Sequence, residues 1–117
     1  MVERVKLEGF LILERDGEEI WWEEAEFVWK REGWERHEDA WVWKLEDWLY
    51  EVAEEKMKEI GVNIEECEYE TEWYEYNHIK ELRAYITKYG KTEEEDEVYV
   101  LTFKIVHEEI EEEEEEE

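Results

Sequence analysis

Residues 35–60, ERHEDAWVWKLEDWLYEVAEEKMKEI, run without a glycine or proline and stop at Gly61. On a wheel turning ~100° per residue, Trp41, Leu45, Trp48, Leu49, Val52 and Ile60 fall in one wide apolar stripe. Trp43, Tyr50 and Met57 recur seven apart on the opposite side. Glu35, Glu38 and Asp39 near the start, and Lys56 and Lys58 near the end, suit the helix dipole. Gly61 occupies the C′ position, with Val62 following as its apolar partner. The spacing predicts a helix over 35–60. Its first stripe covers one layer, and its second asks for another surface.

Upstream, residues 2–14 alternate: Val5, Leu7, Leu11 and Leu13 on one side, Lys6, Glu8, Phe10, Ile12 and Glu14 on the other. Arg15-Asp16-Gly17 is a hairpin signal. A three-residue loop with Gly17 left-handed pairs Glu14 with Glu18, Leu7 with Ala25 and Val5 with Phe27. It is preferred because it sets apolar against apolar; a two-residue loop at Asp16-Gly17 would swap the second strand's faces. Gly9, inside a strand, marks a bend where the helix crosses closely. Strand 18–30 then carries Trp21, Ala25, Phe27 and Trp29 inward and Ile20, Trp22 and Val28 outward.

Downstream, residues 63–76 read as a strand, with Cys67, Tyr69, Thr71 and Trp73 opposite Glu66, Glu68, Glu70 and Glu72. Residues 78–89 fit two periods. As a helix, Ile79, Leu82, Ile86 and Tyr89 make a stripe. As a strand, a tight turn at Asn77-His78 sets Trp73 against Leu82, Thr71 against Ala84 and Tyr69 against Ile86. It also sets Glu72 against Arg83 and Glu75 against Lys80. Those opposite charges favour the strand. Residues 98–107 form a last strand, with Tyr99, Leu101, Phe103 and Ile105 on one face. Nine of the ten residues 108–117 are Glu, so a disordered tail is expected there, after a single domain over 1–107.

The fold class expected is α+β: a curved antiparallel sheet in the order β-β-α-β-β-β packed on one long central helix. A helix of about 25 residues is ~37 Å long, and strands of about 11 to 13 residues are ~35–43 Å, so the layers match in length.

At 117 residues the chain can bury a real core without disulfides, and one cysteine excludes an intramolecular one. The net charge of −26 would suit a disordered polymer, but 42% hydrophobic residues with eight Trp do not. Ser, Gln and Pro are absent, a bias shared by hyperthermophile proteins and computed designs. No apolar run is long enough to span a membrane, and residues 1–7 lack the character of a signal peptide, so a cytoplasmic location is expected. The charge repels nucleic acid and acidic lipid; any charged partner is basic.

Chemistry is thinly signalled. His37-Glu38-Asp39 and His107-Glu108-Glu109 resemble metal ligands, but sequence neighbours seldom aim at one point, and a solvated surface is the better account. Glu23, inward between Trp21 and Ala25, is the best placed general acid or base; Cys67 reads as a structural thiol. No cofactor, metal or catalytic set is predicted. Aromatic residues are the strongest signal, and Trp22, Trp43, Tyr50, Met57 and Tyr85 are the expected interface. The function expected is a non-catalytic acidic protein–protein interaction domain, homodimeric, with a basic protein as a further partner. The alternatives are a carrier with an aromatic-lined cavity between sheet and helix, and a nucleic-acid mimic using Glu66, Glu68, Glu70 and Glu72.

Overall fold

A computed structural model describes residues 1–112. Strands β1 (Val2–Arg15) and β2 (Glu18–Lys30) lead into helix α1 (Ala40–Glu59). Strands β3 (Glu68–Tyr76), β4 (Ile79–Lys88) and β5 (Glu97–Glu112) follow, so the expected order holds and residues 79–88 are strand. The five strands form one antiparallel sheet, ordered β2-β1-β5-β4-β3. The β1–β2 hairpin and the β3-β4-β5 meander join through the pair β1–β5, and α1 lies over the face carrying Val5, Leu7, Leu11, Leu13, Leu82, Ile86, Leu101 and Phe103.

The β3–β4 register is the one the charges predicted: Trp73 faces Leu82, Glu72 faces Arg83 and Glu75 faces Lys80. Asn77 and His78 turn the chain with φ of 47° and 67°, a two-residue turn without glycine. The first hairpin differs. Asp16 and Gly17 are both left-handed, and Arg15 faces Glu18, so the loop has two residues. A bulge at Ile20 then moves the register on, so that Leu13 faces Trp21, Leu7 faces Phe27 and Val5 faces Trp29. The tight turn alone would have turned Trp21, Phe27 and Trp29 outward. The extra bulge residue restores them to the core, two positions along from the predicted pairing.

Gly9 serves a different contact from the one expected. A Cβ there would lie 1.8 Å from the carbonyl oxygen of Lys104, so it is β5, not the helix, that approaches. The close approach sits beside a second bulge, at Val106, where the β1–β5 register shifts.

The helix starts five residues later than predicted. Arg31 is the cause: its guanidinium donates to the carbonyls of Val2 (2.8 Å), Glu35 (2.9 Å) and His37 (3.4 Å) and lies 3.5 Å from Glu3. The Glu35 carbonyl that a helix over 35–39 would use is thus held by a side chain, the His37 carbonyl is shared between Arg31 and the Ala40 N–H (3.3 Å), and the Asp39 N–H donates to His37 Nδ1 instead. At the other end Gly61 (φ 80°) closes the expected cap, with Gly61 N–H donating to Lys58 C=O and Val62 N–H to Met57 C=O.

The length match also fails. A helix of 20 residues spans ~30 Å, whereas β5, with 16, spans ~53 Å. The surplus includes residues 108–112, which continue β5 rather than begin a disordered tail; residues 113–117 of that predicted tail lie outside the described residues. Strand pairing persists there because the opposing strand is basic. Lys6 faces Glu109 and Arg4 faces Glu111, while Ile110 faces Val5. Among the described residues no helix is long and apolar enough to cross a membrane.

Candidate functional site

The expected interface residues do not share one patch. The helical contact stripe runs through Leu45, Leu49, Ala53 and Met57, all buried. Each step of four residues advances ~40° around the helix, so the stripe spirals as it crosses a twisted sheet. By its last turn it has reached the side assigned to a second surface. Met57 is therefore core and drops out of the interface. Tyr50 is drawn in against Tyr69, ring centroids 5.0 Å apart. Trp43, at the start of the helix, stays 51% exposed with the His37 ring tilted against it, centroids 4.4 Å apart.

Trp22 and Tyr85 lie on the sheet's other face, three strand spacings (~14 Å) apart. No helix of the described residues covers that face. Trp22 is 58% exposed and leans on Phe10, and Val28 and Val106 also face solvent. Toward β3 a polar cluster is built around Glu81, a carboxylate only 5% exposed. Arg83 donates to Glu81 Oε2 through Nε (2.9 Å) and Nη2 (2.7 Å), and Tyr76 donates to Oε1 (2.9 Å). The Arg83 guanidinium also sits 4.2 Å from the centre of the Tyr74 ring, and the Tyr74 and Tyr85 hydroxyls are 2.6 Å apart. Hydrogen bonds to Tyr85 and Glu81 push Arg83 up, and those to Glu72 and Tyr85 push the Tyr74 phenol up. These groups hold their protons; the cluster offers hydrogen bonds and a flat aromatic surface.

Among the hollows on the helix side, two have tryptophan walls. The first is a cleft of about 420 Å³ where the sheet outruns α1, lined by Leu7, Trp41, Trp73, Lys80, Ile105 and Glu108. Lys80 Nζ donates to both oxygens of Glu108, at 2.9 and 3.1 Å, which raises the Lys80 pKa. The second is a recess of about 330 Å³ at the start of the helix, lined by Trp34, Glu35, Ala40, Trp43 and Asp47, with Arg36, His37 and Lys44 at its sides. Sequence reasoning missed Glu35 as a buried group because Arg31, four residues before, holds its backbone out of the helix.

The remaining candidates are scattered. Glu23 is on the helix side but solvent-exposed, because the bulged edge strand leaves it uncovered. Cys67 is half-buried and donates to the Asn63 carbonyl (3.5 Å), and burial pushes its thiol up. His107 and Glu109 share the open face, whereas Glu108 turns to the cleft, so that triplet cannot converge. Glu68, Glu70 and Glu72 line the β3 edge, but Glu66 ends a 3₁₀ turn and leaves the row. Comparison with protein-family models, curated proteins and solved structures matches none of them.

Proposed function

We propose that this chain is a non-catalytic acidic protein–protein interaction domain that pairs with a second copy of itself through the open face of the sheet. The uncovered apolar strip around Trp22 and Phe10 carries this reading. The open face as a whole is large enough to hold such a contact. Five strands ~4.8 Å apart and on average about 12 residues long make a face on the order of 900 Å², against ~800 Å² per partner in a stable complex. Aromatic and Arg side chains, Trp22 and Phe10 toward β2 and Tyr74, Arg83 and Tyr85 toward β3, are the residue types that dominate binding energy. We place the domain in the cytoplasm.

Two copies at −26 each repel, so salt should tighten this dimer, whereas it would weaken a complex with a basic protein. Sedimentation equilibrium across micromolar to submillimolar protein, at low and high salt, tests it. The expected result is a dimer favoured by salt and abolished by Trp22→Glu with the far-ultraviolet spectrum unchanged. A monomer at the highest concentration in both salts would overturn it.

The cleft beneath Trp41 and Trp73 supports a second reading, a carrier of a small apolar molecule, since its volume lies within the ~300–1,000 Å³ usual for ligand sites. Native mass spectrometry of the purified chain would then find added mass, and the bare chain alone removes the carrier.

A further inference from the structure

We infer that the recess at the start of α1 binds an organic ammonium group, as carried by the lysine side chain of a basic partner. Glu35 is only 8% exposed, and its Oε2 is buried without a hydrogen-bond donor. A buried carboxylate oxygen left so is costly; turned into the recess by rotation of the Glu35 side chain, it is best relieved by an N–H⁺ donor. Neither Arg36 nor Lys44 at the recess sides donates to it, and Arg31, four residues before, cannot. The Arg31 guanidinium is engaged by the carbonyls of Val2, Glu35 and His37 and by Glu3.

The walls suit the same guest. Trp34, 75% exposed, and Trp43 bring two indoles to one recess. Indole faces attract ammonium and its adjoining methylenes, which is how aromatic cages hold such cations. An anion is the rival guest, because a helix begins here and Arg36 and Lys44 stand at the sides. The buried Glu35 carboxylate opposes it. The net charge of −26 also concentrates cations around the molecule. The site is on the helix side of the sheet, apart from the open face, so it does not depend on the dimer.

The test is a titration of the full chain with n-butylammonium chloride at fixed ionic strength, with n-butanol and sodium butyrate as neutral and anionic controls. Nitrogen–proton correlation spectra follow the indole N–H signals, assigned by Trp34→Phe and Trp43→Phe. We expect saturable shifts of both signals with butylammonium alone. Glu35→Gln should weaken that binding roughly tenfold, the loss of one charge-assisted hydrogen bond. Should Glu35→Gln not fold, Trp34→Ala, whose side chain is largely in solvent, should also weaken binding. Unchanged affinity in the folded variant, shifts no larger than with sodium chloride, or tighter binding of butyrate would each overturn the assignment.

Discussion

Replacing Gly9 with alanine should be the most damaging single-methyl change in the sheet. The new Cβ would meet the Lys104 carbonyl oxygen at 1.8 Å, the Lys104 carbonyl carbon at 2.8 Å and the Ile105 Cα at 3.1 Å, all backbone. No rotamer change relieves backbone, so β1 and β5 must part by ~1.5 Å to reach ordinary contact. Both are central strands, flanked by β2 and β4. Two ladder hydrogen bonds stretched beyond reach there orphan four groups, at ~1–1.5 kcal/mol apiece because neighbouring backbone relaxes toward them. The strand preference of alanine over glycine returns ~0.5–1 kcal/mol. The net loss is ~3–5 kcal/mol, against a total stability of ~5–15 kcal/mol for a domain of this kind. Urea unfolding followed by Trp fluorescence reads it. At a slope of ~1.5 kcal/mol/M the midpoint falls by ~2–3 M. Gly33→Ala is the control, because its Cβ would meet nothing within 4 Å. A Gly9→Ala midpoint within ~0.3 M of that control, at the same slope, would refute the close approach of the two strands.

The spiralling helix stripe is tested by a pair: Met57→Ala should cost ~3 kcal/mol and Trp43→Ala under ~1 kcal/mol, and the reverse order in urea midpoints would restore the two-sided helix. Alkaline stability should depend on Tyr99, whose phenol is pushed up to about 12 by burial and then by its bond to Glu97. The folded chain holds that proton more tightly than the unfolded one, so its stabilisation is present below pH 10 and lost as pH rises through about 12. Tyr99→Phe should flatten the fall in melting temperature over that window, and an unaltered slope would reject the account.

Legibility followed the range of the interaction that decided each feature. The β3–β4 hairpin was readable to the residue pair, because its alternation is clean and opposite charges face each other across it. The two periods of 78–89 left strand and helix both open, and those pairings decided between them. The inward faces of β1 and β2 were readable, but their register was not, because a bulge at Ile20 has no local signature in a run of Glu, Ile and Trp. The start of α1 was hidden for a different reason. Dipole and wheel both favour 35–39 as helix, and only the tertiary placement of Arg31 beside Val2 and Glu3 removes the Glu35 carbonyl. Met57 was misplaced because a wheel projects a twisted contact line onto a straight one. The strand at 108–112 did leave a trace: Ile110 interrupts the glutamates, and Arg4 and Lys6 sit where they can face Glu111 and Glu109. The buried Glu35 left none, since nothing in its neighbourhood distinguishes it from the chain's other acids.

The glutamates decide how such a sheet can associate. Its two free edges, β2 and β3, would accept another strand through unpaired N–H and C=O groups. On β2 the solvent positions include Glu18, Glu19, Glu23, Glu24 and Glu26, and on β3 they include Glu68, Glu70, Glu72 and Glu75. A second copy added edge to edge would bring such rows within ~5 Å across strands, and each facing pair of like charges destabilises by up to ~1 kcal/mol. Several such pairs offset most of what new ladder bonds contribute, at ~0.5–1.5 kcal/mol apiece. Face-to-face stacking is different. Sheets packed that way keep their backbones ~10 Å apart and join no edge ladder, although Glu8, Glu24, Glu26, Glu70 and Glu72 share the open face and must be offset from their own copies. The apolar strip around Trp22 then meets its own copy without forcing the edges together. The same charges that bar open-ended growth through the edges are thus compatible with the closed, two-fold pairing proposed for the open face.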